Sequence, residues 1–584
     1  MSCEISKKRN NRKRKKSFLM NARKYGKKGY YGRGSELDSD TYQYFVRIME
    51  VYREGFENEE DKILFVNNVF EQSENQEINC SCNQVGCRVI ETLLPYASDL
   101  ILKKFMEAFN SEIRRLCTDR FASHVLEGLV IQSCRRSLEI ESRSQEVVQY
   151  FHQFTLKISR FLLNNLEDFI WDTYGNHIMR TCLKNLAQLE SENVKKKETM
   201  AEESESKEVP EEYLEIVEEY AKRIISWPQF NELCSSELTS GFLQVLLQCL
   251  KKIKSKTFKI YLKKLLKDIF VSKDDGDQAN PNILPAAFLS TSVIMILETT
   301  LQLANSKMFS EIYRLCFEGK LPKLATTRST NFSVQKLLLH CSNKTEFEAI
   351  FDELVGHFGE IIEAGHSGVL LALAQSCKRM CTKQGSFVKS FMKSLHCLEP
   401  VERQNSFILC VCRLVTFDNN KATDNLHKEK LNLHGTLMVQ LMLDFNKPIQ
   451  IVNSLLSLDL NDLKNLFLNT MGSHIADSFV KGHFVGEKSK EKLVRKLMGS
   501  YQELAVSKYG SRSFEAVWSA ANLKAKIKIM EELSHKEGAW ANSDFGKIIA
   551  GKINLFLFKR NKEEWKNSVF KVKDGDEFLK DILK

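Results

Sequence analysis

The chain has 584 residues and a formal net charge of +10, with only eight prolines and 26 glycines. So few turn-forming residues argue against a loop-rich all-β protein, and stretches with a 3.6-residue period, such as FKIYLKKLLKDIF, predict an all-α chain. The first 19 residues lack a continuous apolar run, and Ser, Thr and Glu interrupt the most apolar stretch, 286–303, so we expect neither signal peptide nor membrane span.

The N-terminal segment holds the excess charge. Residues 1–34 contain 13 Lys/Arg and one acid, so the remaining residues sum to −2. Such composition predicts a disordered basic tail over residues 1–40, in which Tyr25, Tyr30 and Tyr31 could stack on bases. We interpret it as a nuclear or nucleolar targeting signal with phosphate binding as an overlapping role. The targeting residues are Lys7, Lys8, Arg9, Arg12, Lys13, Arg14, Lys15 and Lys16.

A phrase of the form Gly-small-(Arg/His/Tyr)-Val-x-(Glu/Gln)-x-x-Leu recurs at a spacing near 36 residues. Clear copies surround Gly86, Ala122, Gly175, Gly472 and Gly510. Such a period predicts stacked helical units that share one continuous core. We therefore expect one helical-repeat array over residues 41–560, with no compelling internal boundary.

Helical geometry separates each copy into a polar and an apolar arc, because successive residues lie about 100° apart. In the second copy, Ser123, His124 and Glu127 share the polar arc. Val125, Leu126 and Leu129 fall on the other side and should be core. A small polar residue, a planar neighbour and a hydrogen-bonding residue one turn later could bond a base edge and stack between bases.

These residues resemble the Pumilio (PUF) repeat, in which each repeat reads one base. The resemblance implies guanine readers in Cys87 with Glu91, Ser123 with Glu127, and Ser511 with Glu515. It also implies an adenine reader in Ser240 with Gln244 and a uracil reader in Asn331 with Gln335. Weaker copies place Thr291, Ser367, Thr436 and Lys547 at the first position. About 11 repeats behind a basic tail resemble the nucleolar protein nine family and imply a curved, C-shaped solenoid.

Several repeats depart from the three-residue pattern. The stacking position holds Arg88, His124, His177, Phe332, His474 and Arg512 in six repeats, but Gly241, Ser292, Gly368, Leu437 and Ile548 in the others. Asn176 is followed by Arg180 where Glu or Gln is expected, and Ser473 is followed by the shorter Asp477. We therefore expect base reading near the two ends of the array, and backbone or shape recognition between them.

Two further segments complete the predicted organisation. An acidic insertion spans 190–212, within a stretch, 190–219, that carries a net charge of −8. It is either a solvated spacer or a negatively charged element that competes with RNA or meets a basic ribosomal protein. Residues 561–584 form a C-terminal extension.

Metal and catalytic chemistry find no support in the sequence. The 16 cysteines lack the paired C-x-x-C spacing of a zinc site, so we expect reduced, buried thiols and no metal or other cofactor. Metalloprotease, nucleophile-elbow and phosphate-loop motifs are missing, which predicts a non-enzyme. Gly86, Gly175, Gly472, Gly510 and Gly546 should permit entry into each helix rather than contact a ligand.

The resemblance implies a monomeric, nucleolar RNA-binding protein of ribosome biogenesis. By the family's properties, it would bind small-subunit pre-rRNA, meet proteins of the pre-ribosomal particle, and restrain premature processing of that RNA. Two alternatives stay open: a cytoplasmic Pumilio-type regulator of mRNA, and a protein-binding solenoid of the armadillo or HEAT type.

Overall fold

The computed structural model describes residues 18–189, 209–271, 284–422, 430–535 and 537–569. Almost all of the regular structure in these ranges is helical, and their only β-type pairing is an isolated bridge between Gly34 and Asn83. The predicted all-α fold is therefore confirmed. Among the helices described, none combines the length and the apolarity needed to cross a membrane.

The chain divides into two compact units rather than the single array without boundaries that we predicted. The first comprises residues 1–279 and 283–304, and the second comprises 280–282 and 305–584. Because each repeat packs mainly against its neighbours, a boundary between units requires no linker of distinctive composition. The sequence therefore contains no signal for this boundary.

In the first unit, five inner helices pack in succession. They define repeats 1 to 5: Gln84–Leu93, Ala122–Ser137, Thr173–Leu186, Glu237–Lys252 and Thr291–Leu303. Each follows a short helix: Glu77–Ser81, Ile113–Thr118, Leu166–Phe169, Phe230–Ser235 and the single turn Ala286–Phe288. Outer helices cover the stack: Asp99–Asn110, Gln145–Asn164, Glu211–Ile225 and Thr257–Leu265, the last continued by Leu266–Phe270. Helices Ser39–Glu54 and Glu59–Glu71 precede repeat 1.

The second unit repeats this arrangement after helix Ser306–Ile312 and the turn Tyr313–Phe317. Its inner helices define repeats 6 to 11: Asn331–His340, Ser367–Met380, Leu433–Leu443, Ser473–Lys481, Gly510–Ala520 and Asp544–Lys552. The short helices are Leu321–Thr326, Phe358–Glu363, Phe407–Arg413, Leu460–Leu468, Tyr501–Val506 and Glu537–Trp540. The outer helices are Lys344–Leu354, Gln384–Ser394, Ile449–Ser457, Glu487–Lys496, Leu523–Ser534 and Leu555–Arg560. Short elements Val355–His357, Val401–Ser406 and Phe417–Ala422 join them.

A close approach between each short helix and its inner helix explains the repeated glycine. A Cβ on Gly86 would lie 2.2 Å from the Cys80 carbonyl oxygen, and one on Gly472 would lie 2.0 Å from that of Leu466. A Cβ on Gly510 or Gly546 would likewise lie 2.6 or 2.0 Å from the carbonyl oxygen of Leu504 or Trp540, whereas one on Gly175 would lie 2.9 Å from the Phe169 side chain. These glycines permit helix entry, as predicted.

Where glycine is replaced by threonine, the side chain satisfies the same backbone carbonyl. Thr239 Oγ1 donates a hydrogen bond to the Leu233 oxygen at 2.6 Å, and Thr330 Oγ1 donates to the Leu324 oxygen at 2.7 Å. Both hydroxyls reach a carbonyl six positions earlier. In these two repeats the threonine hydroxyl supplies the carbonyl with a hydrogen-bond donor, and a buried carbonyl left without a donor is costly.

The structure corrects the predicted boundary of the N-terminal tail. Residues 18–26 are helical and bury Leu19 and Ala22, and residues 30–35 lie against the start of repeat 1. The backbone of this segment bonds to Asn83 and Gln84, so the prediction of disorder is wrong for 18–40. All eight predicted targeting residues, Lys7 to Lys16, lie outside the described residues.

The other predicted boundaries shift as well. At the C-terminal end, Trp565 is buried and its Nε1 donates to the Ile553 oxygen at 2.8 Å, so the packed array continues beyond 560. Residues 190–208 of the acidic insertion lie outside the described residues. Its last residues enter the outer helix Glu211–Ile225, where Glu212 Oε2 contacts His152 Nε2 at 2.6 Å.

Candidate nucleic-acid interface

Within each unit, most of the planar side chains at the stacking position lie on the exposed side of the inner helices. Arg88, His124 and His177 are exposed in repeats 1 to 3, and Phe332 and Arg512 are exposed in repeats 6 and 10. The apolar ring of Phe332 is 60% exposed. His474 of repeat 9 is half-buried. Opposite the stacking position, Val125, Leu126 and Leu129 are fully buried, as the helical projection predicted. We call the exposed side of the inner helices the reading face.

The predicted first-position readers are less accessible than expected. Cys87, Ser123, Asn176, Ser240, Asn331 and Ser473 are all buried, and Ser511 is half-buried. The reason is geometric: these short side chains lie at the edge of the polar arc, where the adjoining packed segments cover them. The six buried residues therefore offer little surface to a base edge in this conformation, and their role in base reading stays a prediction.

All of these readers except Ser123 are already hydrogen-bonded to backbone carbonyl oxygens. Cys87 Sγ donates to the Phe121 oxygen at 3.0 Å, and burial raises the pKa of this thiol to about 12. Asn176 Nδ2 donates to the Ile170 oxygen at 2.9 Å. Asn176 Oδ1 and Ser123 Oγ are buried without a hydrogen-bond partner among the described residues. Unpaired buried polar atoms of this kind cost roughly 1–3 kcal/mol each.

The fifth-position residues, which lie one turn after the first, connect each repeat to the next. Three carry carboxylates that contact the following inner helix: Glu127 accepts from Thr181, Asp477 from Arg512 and Glu515 from Lys552, each at 2.7 Å. Gln244 Oε1 accepts from Thr299 at 3.3 Å. Arg180 and Gln335 lie against the following inner helix without such a bond. Each unit therefore has three fifth-position side chains between successive inner helices, and we call these six residues the ladder.

Glu127 is the most constrained member of this ladder. Its Oε1 accepts from Thr181, and its Oε2 lies 3.5 Å from His124 Nδ1. Burial opposes ionisation of Glu127, but hydrogen bonds from His124 and Thr181 outweigh it and lower the pKa of the carboxyl. The same contact raises the pKa of His124 above its ordinary value. The stacking residue and the predicted guanine reader of repeat 2 thus form an internal pair.

Arg180 and Gln335 fill the space left by missing stackers. A Cβ on Gly241 would lie 3.2 Å from Arg180 Nη1, and a Cβ on Gly368 would lie 2.8 Å from Gln335 Nε2. In each case the fifth-position side chain of one repeat covers the glycine at the stacking position of the next. The Gln335 amide is further held by Asn331, whose Oδ1 accepts from Nε2 at 3.0 Å. The planar groups of Arg180 and Gln335 thus lie at the stacking positions of repeats 4 and 7, where the sequence has glycine instead of a planar side chain.

Salt bridges orient the cationic stackers. Arg512 Nε lies 2.7 Å from Asp477 Oδ2, and Arg88 Nη1 lies 3.5 Å from Glu91 Oε2. Burial lowers the pKa of His474, and the nearby Arg512 charge adds to this effect. The reading face therefore presents a neutral imidazole beside a fixed guanidinium at repeats 9 and 10.

The weak repeats differ from the others in their exposed chemistry. Met295 at the fifth position of repeat 5 is 48% exposed, and Ile548 at the stacking position of repeat 11 is 53% exposed. Lys547 is also exposed. Neither Met295 nor Ile548 offers a hydrogen-bonding group, so these repeats lack a complete base-reading set, as the sequence indicated.

Sequence reasoning did not find the partners of the ladder. Thr181, Thr299 and Lys552 lie outside the three-residue pattern, one to four positions after the fifth position of their own repeats. Thr181 and Lys552 lie one turn after the stacking position, and Thr299 lies one turn after the fifth position, so a polar residue at either place is the signal that could have indicated them.

Comparison with known proteins identifies the repeat. The NOP9-like PUF repeat domain matches residues 75–548. The chain belongs to this family. The repeats of this NOP9-like PUF protein are therefore those of an RNA-binding, non-enzymatic family, and the predicted recognition, fold class and absence of catalysis are confirmed.

Curated relatives match along nearly the whole chain. Nucleolar protein 9 of Mus musculus is 24% identical over 583 residues, covering 94% of this chain and 91% of the relative. Nucleolar protein 9 of Homo sapiens is also 24% identical, with the same coverage. Pumilio homolog 23 of Arabidopsis thaliana is 22% identical and is covered over 73% of its length, against 91% of this chain. The nucleolar location predicted for this protein agrees with the names of its relatives.

Solved structures support the fold. A structure of APUM23 with GGAUUUGACGG has a TM-score of 0.71 at 20% identity, covering 91% of this chain and 99% of that one. A second, with GGAAUUGACGG, has a TM-score of 0.70 at 19% identity and the same coverage. This NOP9-like PUF protein thus shares the helical-repeat fold of APUM23.

Proposed function

We propose that this nucleolar RNA-binding protein binds single-stranded segments of small-subunit pre-rRNA on the reading face and restrains their premature processing. Bound RNA would be occluded from nucleases until the array is released. In this role the protein would bind and cover the RNA, and it would not catalyse a reaction.

The observation that carries this proposal is the set of exposed planar side chains on three successive inner helices of the first unit. Arg88, His124 and His177 follow one another in the first unit, and each has its ring or guanidinium at the same helical position. Stacking on a planar side chain is worth roughly 1–3 kcal/mol per base and tolerates any base. Several such positions in succession suit an unpaired strand rather than a duplex, whose bases are stacked on one another.

Base reading is proposed to be partial. Glu127, Asp477 and Glu515 each bond a neighbouring repeat, so a base edge must share or displace that bond. Six of the first-position readers are buried. Repeats with Met295 or Ile548 offer no polar reader at those positions. The protein would therefore fix the path of the strand along the array and discriminate bases at only a few positions.

The cellular experiment combines crosslinking with complementation. RNA crosslinked to the protein is sequenced for the wild type and for the triple variant His124→Ala/His177→Ala/Arg512→Ala. In cells depleted of the protein, the wild type should suppress early cleavage at the boundary of small-subunit rRNA and its internal spacer. We expect the triple variant to lose small-subunit pre-rRNA and to fail in this complementation.

The outcome also separates this function from the alternatives. Recovery of mRNA without pre-rRNA would support the mRNA regulator, and recovery of no specific RNA would support a protein-binding solenoid. A matched control is His483→Ala/Arg495→Ala/His535→Ala, which removes the same side-chain types from exposed positions on outer helices and loops. This control should behave as the wild type.

Residues 6–16 are proposed to direct the protein to the nucleolus. Their removal should abolish nucleolar enrichment while leaving the packed array unchanged, since the residues described in the packed array begin at residue 18. Unaltered localisation of the deleted protein would contradict the targeting role. We also propose that the protein acts as a monomer within a pre-ribosomal particle, with the acidic insertion as a contact for its basic proteins.

A further inference from the structure

Residues 18–35, which we call the strap, fold against the first repeat instead of extending into solvent. Gln84 N donates to the Arg33 oxygen at 2.8 Å, and Asn83 Nδ2 donates to the Tyr31 and Ser35 oxygens at 3.0 and 2.8 Å. Gly34 adopts a φ of +94°, and a Cβ there would lie 2.0 Å from the Cys82 oxygen. The strap therefore has one defined path across the start of repeat 1.

A cavity of about 440 Å³ lies between the strap, helix Ser39–Glu54 and the first inner helix, Gln84–Leu93. Its floor is apolar and includes Ala22 and Val85, and Asn21, Arg33 and Gln84 contribute polar groups. The volume falls in the range of sites that hold small organic groups, about 300–1,000 Å³. A nucleotide is of this size class.

Two tyrosine rings stand at this cavity and are exposed to solvent. Tyr25 is 52% exposed and Tyr30 is 66% exposed. Their backbones are fixed to one another, because Tyr30 N donates to the Tyr25 oxygen at 3.0 Å. The strap is thus held by main-chain bonds and by buried Leu19 and Ala22, and the rings are not needed to hold it. Exposed aromatic rings beside a cavity favour a ligand with a planar face.

The charge of the strap indicates an anionic ligand. Arg23, Lys24, Lys27, Lys28 and Arg33 occur within 18–35 without a single Asp or Glu. Of these cations, Arg23 pairs with Glu50. Arg33 lines the cavity, and the side chains of Lys24, Lys27 and Lys28 are exposed elsewhere on the strap, where they can meet phosphates.

The cavity is continuous with the reading face of repeat 1. Gln84 lines the cavity at the start of the first inner helix, and Arg88 and Glu91 follow it at four and seven positions. Residues at these spacings lie on one face of a helix. A strand that stacks on Arg88 therefore reaches the cavity within one helical turn.

We propose that this cavity is a nucleobase-binding pocket, in which Tyr25 and Tyr30 stack on a base of single-stranded RNA adjacent to the one bound at repeat 1. Gln84 and Asn21 offer amide groups to the base edge, and Lys27 and Lys28 meet the backbone phosphates. This inference rests on the proposed RNA binding at the reading face. It adds one nucleotide to the bound strand beyond the array of repeats.

The test uses the full-length protein and a labelled RNA that spans the boundary of small-subunit rRNA and its internal spacer. Tyr25→Ala/Tyr30→Ala is compared with Tyr25→Phe/Tyr30→Phe, which keeps both rings, and with the control Phe484→Ala/Phe556→Ala, which removes two exposed rings elsewhere. We expect the alanine pair to weaken binding about 5- to 150-fold, the range that one stacked base supplies. The phenylalanine pair and the control should bind within about threefold of the wild type, the salt dependence should not change, and 4-thiouridine should crosslink to the strap.

Failure of this inference is distinct from failure of the proposed function. If the wild type binds the RNA but the alanine pair binds equally well, with an unchanged footprint and no crosslink to the strap, the pocket does not hold a base. A pocket that binds a peptide instead of RNA would also leave the RNA affinity, the footprint and the missing crosslink unchanged in the alanine pair. If the wild type itself binds none of the RNA, both the proposed function and this inference are wrong.

Discussion

The Arg180 guanidinium lies against Gly241, with Nη1 and Cζ at 3.2 and 3.3 Å from the position of a Cβ on that glycine. Arg180 belongs to repeat 3, whereas Gly241 holds the stacking position of repeat 4. A planar cation from one repeat thus covers the place where the next repeat lacks a ring. Guanidinium groups stack well on nucleobases, so the array can remain continuous across this repeat.

Replacing Arg180 should therefore weaken RNA binding although this residue does not match the PUF pattern. We expect Arg180→Ala to reduce affinity about tenfold, the effect of losing one stacked base. The double variant Arg180→Ala/Gly241→Arg should recover most of the loss, because it supplies the planar cation from the next repeat. The exposed Arg135→Ala in repeat 2 is the charge-matched control. Affinity by fluorescence anisotropy that is equal for Arg180→Ala and Arg135→Ala would contradict stacking by Arg180.

Two glycines in the last inner helix should respond oppositely to alanine. A Cβ on Gly546 would lie 2.0 Å from the Trp540 oxygen, whereas one on Gly551 would meet nothing within 4 Å. Gly546→Ala should lower the free energy of unfolding by about 2–4 kcal/mol, because backbone must move apart. Gly551→Ala should be neutral or stabilising by up to about 1 kcal/mol, since alanine favours the helix. Urea denaturation followed by tryptophan fluorescence measures both, and equal effects would refute the close approach.

Two histidines of the reading face should give opposite pH dependence of stability. The pKa of His124 is raised by Glu127, so its contribution is complete below the unfolded pKa of about 6.5 and is lost as the pH rises through the folded pKa. The pKa of His474 is lowered by burial, so the folded state loses stability as the pH falls below about 6.5.

The experiment compares His124→Gln and His474→Gln with the wild type by urea denaturation between pH 5 and 8. The stability difference between wild type and His124→Gln should shrink as the pH rises. For His474→Gln, the wild type should lose its relative stability as the pH falls. Parallel slopes for the two variants would show that one of these environments is wrongly assigned.

Helical periodicity predicted the burial of Val125, Leu126 and Leu129 and the exposure of His124, because these follow from the angle of each residue on one helix. The burial of Ser123 and Asn176 could not be predicted in this way. It depends on how closely the neighbouring segments pack, which fixes the width of the exposed arc. The role of Gly472 was predictable because a recurring glycine before a helix indicates a close approach.

Long-range pairing explains the remaining differences. The composition of residues 18–35 is that of a disordered tail, but Asn83 and Gln84, about 50 positions later, bond the backbone of this segment. Likewise, Arg180 does not match the fifth position of the repeat pattern, but its guanidinium covers Gly241 at the stacking position of the next repeat. The acidic insertion separates these two residues in the chain. Neither relationship is local, so neither leaves a periodic signal in the chain.

The most direct test of the central claim is equilibrium binding of small-subunit pre-rRNA by the purified His124→Ala/His177→Ala/Arg512→Ala variant. The comparison is with the wild type and the His483→Ala/Arg495→Ala/His535→Ala control. At roughly 1–3 kcal/mol per stacked base, we predict a loss of several kcal/mol, on the order of 100-fold or more, with intact helicity and a control within about threefold of the wild type. Unchanged affinity of the triple variant, with its fold preserved, would mean that RNA does not bind on the reading face.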